Sequence, residues 1–435
     1  MNIEAFDRAR EYLLEIPLWT RKKNSIEAIR EILKKLGSPD RHQRIIHVAG
    51  TNGKGSVCAF LTSMLVESGY RVGTFVSPHL EDIRERILIN GKLVSEETFA
   101  EGFQVVKETI DQAVEEGYCH PSFFEYLFYM SMMIFQEEAV DYLVLETGLG
   151  GRLDITNAVE FPLASVLTTI GLEHTQYLGD TIEQIAGEKA GIIKRGIPVI
   201  FDAGQPAASQ VILGRAEVLD APAIPVQRAE YLILECGEQG LTVSAESLGG
   251  QPISLKIPFP ARYQAGNALL AFRALEVVHP PKCSLASMCR GLEKTRWPGR
   301  MERLAEGVFV DGAHNPQGIQ AFADAAAELK QRTGKGVYLL FSAVEDKDYE
   351  TMIACLCQKL QPKGVVTASL ESERGADAAM LAGIFQKNGA GRVSSCQTVK
   401  EALLQALEWK EEQHLLFCTG SLYFVGELKT AWKER

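Results

Sequence analysis

The sequence predicts an α/β protein of two domains, each a parallel sheet covered by helices on both faces. Three observations carry that prediction. Short apolar runs of strand type alternate with helical patterns along the chain, the pattern of strand–helix–strand units. The 435 residues exceed what a single core usually holds. Glycine-rich and polar stretches follow the apolar runs, at the strand ends where such sheets bind ligands.

Composition narrows the classes. The chain is 46% apolar and 23% charged, ordinary for a globular protein. A net charge of -11 argues against a nucleic-acid partner, which calls for a basic footprint. The first ten residues mix Glu4, Asp7, Arg8 and Arg10 into apolar surroundings, unlike a signal peptide, and no later run reaches the length of a membrane span. A cytoplasmic protein without a membrane partner is expected. Its nine scattered cysteines, the nearest being Cys355 and Cys357, read as reduced structural thiols.

In chain order, residues 1 to 43 read as helices with a charged face, including Ser25 to Leu33, stopped by Gly37 and Pro39. Arg44 to Ala49 is an apolar strand, and from Ser56 onward Val57, Phe60, Leu61, Met64 and Leu65 take helical spacing. The loop between them, Gly50-Thr51-Asn52-Gly53-Lys54-Gly55-Ser56, has the parts of a phosphate site: backbone N–H groups, a helix start, a lysine charge and a hydroxyl able to reach Mg²⁺. The match to G-x-x-x-x-G-K-[ST] is loose. Val48 stands at the first glycine, and Gly55 separates Lys54 from Ser56. A glycine-rich turn with a stray lysine is the plain alternative, and the flanking strand and helix weigh against it.

Tyr70 to Val76 follows as a second strand, closed by Ser77-Pro78-His79. Phe99 to Glu116 is an amphipathic helix, and Phe123 to Phe135, apolar nearly all round, is a buried one. Tyr142 to Leu145 is a buried strand that delivers Glu146 to the sheet edge, and Val166 to Ile170 leads to His174. A lone acid at a strand end is more often solvated or capping. Ser77, Glu146 and His174 at one edge beside a nucleotide loop point instead to Mg²⁺. Lys189 falls in a helix over Thr181 to Lys194, where a solvated lysine is the plain reading.

Phe201 to Pro260 is broken by Gly249-Gly250, Pro252, Pro258 and Pro260 into short strands such as 232–234 and 255–257. Helix resumes over Ala261 to Val278. Trp297-Pro298-Gly299-Arg300 reads as a linker, dividing the chain into 1–295 and 296–435. Strands at 308–310, 337–341, 365–367 and 415–417 make the second part a smaller Rossmann-like domain. Asp311-Gly312-Ala313-His314-Asn315-Pro316 occupies its ligand edge.

Taken in order, the loop Gly50 to Ser56, Ser77 to Leu80, Phe124-Glu125, Glu146 to Asn157, Leu178-Gly179, Glu188 to Ile192, Pro298 to Arg300, Asp311 to Pro316, Asp346 to Asp348 and Thr419 to Tyr423 closely resemble the folylpolyglutamate synthase and dihydrofolate synthase family. Its relatives are the Mur ligases. The resemblance runs almost the full length and implies a Mur-ligase-like fold and an ATP-dependent ligase. It would join L-glutamate to a folate, or to dihydropteroate, through an acyl phosphate, as a monomer using ATP and two Mg²⁺. Motif by motif it implies nucleotide contacts from Gly50, Thr51, Asn52, Gly53, Lys54, Gly55, Ser56, Asn267, Arg300 and Asp311. Magnesium would be held by Ser77, Glu146, His174 and Lys189, the last as a carbamate. Lys54, Lys189 and His314 would act in catalysis, and Ser122, Phe124 and Arg152 would line the pterin and folate surface. Two positions depart from the family pattern: Glu173 replaces the usual aspartate before His174, and Ser342 replaces a glycine ahead of Asp346-Lys347-Asp348. A Mur-like ligase for another carboxylate acceptor, or a nucleotide-binding protein without catalysis, are the alternatives.

Overall fold

In the computed structural model, which describes residues 3–17, 24–372 and 374–435, strand Ile45–Ala49 is buried at all five positions. It can be so because helices cover both faces of its sheet. The sheet has eight strands in the order Lys92–Leu93, Ile87–Ile89, Val72–Phe75, Tyr142–Glu146, Ile45–Ala49, Ala164–Leu167, Val199–Asp202 and Ala223–Val226. The six from Val72–Phe75 onward run parallel, while the other two add an antiparallel hairpin at one edge. One face packs on Lys54–Glu67, Tyr263–Val278, Leu285–Lys294 and a separate antiparallel sheet of Tyr231–Gly237, Gly240–Glu246 and Pro252–Ile257. The other packs on Ile3–Glu15, Ile26–Lys35, Glu96–Glu115 and Phe123–Glu137. Parts of the helical reading of 1–43, at residues 1–2 and 18–23, lie outside the described residues.

A second sheet has six strands in the order Glu302–Ala305, Val308–Asp311, His414–Thr419, Gly336–Phe341, Gly364–Ala368 and Arg392–Cys396. Only the first pairs antiparallel. Helices Pro316–Thr333, Tyr349–Leu360 and Ala378–Lys387 cover one face, and Val399–Trp409 and Leu422–Lys433 the other.

The helix expected over 181–194 is shorter. It runs Ile182–Lys189 and tightens into a 3₁₀ turn at Ala190–Ile192. Gly191 lies so close to the backbone of Arg152 that a Cβ there would come within 2.5 Å of its Cα. The chain bends where two segments touch. All nine cysteines are free, and among the described residues no helix is long and apolar enough to cross a membrane.

Candidate active site

The loop Gly50 to Ser56 leaves the centre of the first sheet, and the neighbouring strand fixes its shape. Thr51 and Asn52 donate their backbone N–H groups to Thr169 O, at 2.9 and 3.3 Å, and Thr168 Oγ1 donates to Asn52 O at 2.7 Å. A Cβ on Gly50 would stand 1.8 Å from Thr168 Oγ1, so only glycine allows that approach. Gly53, at φ 92°, sits at the start of helix Lys54–Glu67 and leaves the first N–H groups uncapped by a side chain. Asn267 lies directly under Gly53, one helical turn after Gln264. Gln264 is wholly buried and ties Asn267 to Ser56, accepting from Asn267 Nδ2 at 3.0 Å and donating to Ser56 Oγ at 3.1 Å.

Two lysines converge on this loop. Lys54 Nζ donates to the carbonyls of Gly50 and Thr51 at 3.1 and 3.2 Å, and the buried Lys189 Nζ donates to Gly50 O at 2.7 Å. Burial, reinforced by the Lys54 charge, pushes Lys189 down to about 7. The solvated-lysine reading of Lys189 therefore falls.

Parallel register sets Glu146 beside Val48, two residues before Gly50. Burial pushes its carboxyl up to about 7, against the pull of Lys54. Its protein donor is the Ser77 backbone N–H at 3.2 Å, and the neighbouring Thr147 hydroxyl is buried without a partner. Across the loop, burial pushes His174 down to about 4, leaving it neutral. Lys54 acts electrostatically on Glu146, Glu173, His174 and Lys189 alike.

The second sheet contributes from above. Asp311 is buried and accepts from the N–H groups of Met301 and Ala313, both at 2.8 Å, and from Tyr263 OH at 3.1 Å. Arg300 lies close enough to act on both Asp311 and Glu146. His314 is fixed through Nδ1 to Gly312 O at 2.8 Å.

Glu173, noticed in the sequence only as a departure, is where the halves of the chain meet. It accepts from Asn315 Nδ2 at 3.1 Å and lies 3.4 Å from His314 Nε2, 3.8 Å from His174 Nε2 and 4.0 Å from Lys347 Nζ. Although burial alone would raise it, the bond and charge of His314, with Lys54 and His174, hold its carboxyl well below the usual range. Asn52 adds a second bridge, donating to Gln317 and accepting from Asn315. Sequence reading missed Gln264, Tyr263, Asn315, Gln317 and Lys347 as site residues. The spacing of Gln264 and Asn267 on one helix face was the available signal.

The three residues assigned to a substrate surface are less gathered. Ser122 caps helix Phe123–Glu137, and Phe124 packs against Gly148, where a Cβ would meet its ring at 2.6 Å. The Arg152 side chain is exposed and pairs with Glu188.

Comparison with known proteins matches residues 48–275 to the Mur ligase middle domain and 299–422 to the Mur ligase glutamate ligase domain. A dihydrofolate synthase/folylpolyglutamate synthase of Bacillus subtilis is 35% identical over 419 residues, covering 94% of this chain and 95% of that protein. The chain belongs to the folylpolyglutamate synthase and dihydrofolate synthase family of Mur ligases. Two solved members of this family superpose along nearly all of both chains. Mycobacterium tuberculosis folylpolyglutamate synthase complexed with ADP has a TM-score of 0.90 at 28% identity, covering 99% of this chain and 98% of that one. The Yersinia pestis bifunctional folylpolyglutamate synthase/dihydrofolate synthase, with AMPPNP and a manganese ion, has 0.84 at 27%, covering 98% of each.

The donor set fits the divalent cation such ligases use. A buried carboxylate with a single protein donor and a neutral imidazole suit a cation, whereas an ammonium at Lys189 does not and its carbamate would. Among the described residues no group of three or more His, Cys, Asp or Glu side chains is arranged to hold a metal ion by itself.

Proposed function

We propose that this chain uses ATP to join L-glutamate to the carboxylate of a reduced folate, and also to dihydropteroate. The observation that carries the reading is the convergence of Lys54 and Lys189 on the Gly50 carbonyl, at the mouth of an uncapped helix, with Lys54 acting on both Glu146 and His174. In this reading the acceptor carboxylate attacks the γ-phosphorus of ATP, giving an acyl phosphate and ADP. The glutamate amine then adds to the acyl carbon, and phosphate leaves.

Each step concentrates charge on phosphoryl or tetrahedral oxygens, so the chain's part is positioning and electrostatics. Lys54 and the loop N–H groups face the transferring phosphoryl group. Asn267, Arg300 and Asp311 hold the nucleotide, with Asp311 kept in place by Met301, Ala313 and Tyr263. His314 bears on the phosphates from the opposite side, and Ser122, Phe124 and Arg152 receive the pterin end. Mg²⁺, held by Ser77, Glu146, His174 and carbamylated Lys189, would neutralise phosphate charge. Two ions are assigned on the family resemblance.

The proposed unit is a cytoplasmic monomer, and its domains 1–295 and 296–435 both contribute to one cleft. The test is turnover with ATP, L-glutamate and either dihydropteroate or tetrahydrofolate, following ADP, phosphate and product mass. Stoichiometric ADP and a product heavier by one glutamyl unit are expected with both acceptors. Turnover confined to another carboxylate acceptor, such as a nucleotide-linked muramyl substrate, overturns the reading.

A further inference from the structure

Arg86 closes the turn that begins at Ser77, and it is 8% exposed. A guanidinium carries five N–H donors. Of these, Nε donates to His79 Nδ1 at 2.8 Å, and the group lies 5.1 Å from the Phe123 ring centroid. Among the described residues no carboxylate comes within 4.0 Å of it, and its terminal nitrogens have no protein acceptor. Burial pushes the guanidinium down to about 10.

The chain shows elsewhere how it buries an arginine. Arg273, 4% exposed, pairs with Glu276 at 2.6 Å and Glu230 at 3.3 Å, and donates to Glu246 O at 2.7 Å. A buried charge left without such partners is costly, and a planar fork matches a carboxylate through two parallel hydrogen bonds. Position narrows what the fork can take. Phe123 stands between Ser122 and Phe124, while Glu146 and the Tyr423 phenol of the C-terminal half both act on the Arg86 charge. The fork thus touches the helix that carries Ser122 and Phe124, assigned to the pterin end, and feels Glu146 at the centre of phosphoryl transfer. A pteroyl acceptor spanning those two places has its reacting carboxylate there.

We propose that Arg86 binds the reacting carboxylate of the acceptor substrate. This rests on the ligase reading above and names a residue that reading does not use. Serving only to pack on Phe123 is the competing role.

The experiment compares equilibrium binding of pteroate, which has one carboxylate, with its carboxamide, in the presence of AMPPNP and Mg²⁺. The wild-type protein should bind the acid about tenfold more tightly or better, the range of charge-assisted hydrogen bonds. Arg86→Gln should weaken the acid by that factor while the amide and AMPPNP stay within about twofold, so the acid-to-amide ratio falls toward one. Arg86→Lys, which keeps charge without the fork, should give an intermediate ratio and serves if the glutamine variant does not fold. A purely structural role would leave the ratio intact. Equal wild-type affinity for acid and amide, an unchanged ratio in the variants, or a shift in the KM for L-glutamate alone each overturns the assignment. Wild-type turnover with folate acceptors tests the ligase reading separately.

Discussion

Lys54 is tethered by two backbone carbonyls directly over the loop, so its ammonium is fixed before any phosphate meets it. Lys54→Ala should lower kcat by about 10²-fold or more, the scale of a principal electrostatic contact, with little change in melting temperature because the side chain is only half-buried. Activity within a few-fold of wild type would remove the loop lysine from the mechanism. Lys189 is different in kind. A buried amine already pushed to about 7 supplies the neutral form that carbamylation needs. Lys189→Ala should lose most activity yet fold, with partial recovery on adding acetate or formate. Lys189→Arg should stay inactive, since guanidinium offers no anionic ligand; normal turnover in that variant would end the carbamate reading. His47, which nothing in the sequence singled out, gives a pH prediction. It is fully buried, its Nε2 meets Thr156 Oγ1 at 2.8 Å, its Nδ1 has no partner, and burial pushes it down to about 3. The unfolded chain takes up this proton near pH 6.5 and the folded chain only near 3. Its contribution is therefore complete above 6.5 and lost as the pH falls toward 3, with a slope of about 1.4 kcal/mol per pH unit within that window. Urea unfolding of His47→Gln between pH 4 and 6 should show a stability slope shallower by about one proton; an identical slope would assign the acid sensitivity elsewhere.

At the level of elements, the turn from Ser77 to Arg86 is organised from within and from outside. The Glu85 carboxylate accepts from the N–H groups of Leu80, Glu81 and Asp82 at 2.7, 2.9 and 3.0 Å. From outside, helix Leu422–Lys433 docks on it: Lys433 pairs with Glu81 at 2.8 Å, and a Cβ on Gly426 would stand 2.0 Å from Leu80 O. The last helix thereby holds the turn whose Ser77 N–H reaches Glu146. Gly426→Val should push the helix off, lowering kcat about tenfold or more along with the melting temperature. Gly383→Ala, within helix Ala378–Lys387 and with open space around its Cβ position, should instead stabilise by roughly 0.5–1 kcal/mol and leave kcat alone. Equal effects in the two variants would show that the docking does no more than fill space. Such docking cannot be read from a sequence, because Gly426 carries no local signal. What could be read were elements with strong periodicity or capping: Ser25 before Ile26–Lys35, the helix Phe123–Glu137 with its nearly all-round apolar surface, and buried strands such as Tyr142–Glu146. Glu302–Ala305 and Arg392–Cys396 escaped because edge strands are half-exposed and interrupted by polar residues. The sheet at 231–257 was only half seen, its middle strand being passed over.

For the whole molecule, the site's contiguous motifs were legible because a loop after a strand brings its residues to one edge whatever else the chain does. The contacts that cross between halves were not, since they depend on how two separately folded sheets meet. Glu173 is the example: its longer side chain stands among Asn315, His314 and Lys347, and Asn52 bridges to Asn315 and Gln317. Tyr263 to Asp311 and Arg262 to Glu328 make further ties across the same cleft. On the proposed reading neither half holds a complete nucleotide site, for Lys54 and Glu146 come from one and Arg300 and Asp311 from the other. Closure of the two parts should assemble it. The fragment 1–295, provided it retains native-like circular dichroism, should bind ATP at least about tenfold more weakly than the full chain and form no product. In the full chain, Arg300→Ala should weaken ATP in the same direction without unfolding the protein, so the prediction does not depend on the fragment alone. Full activity in the fragment, or unchanged ATP affinity in Arg300→Ala, would place the whole catalytic site on the first sheet and leave the second half a different task.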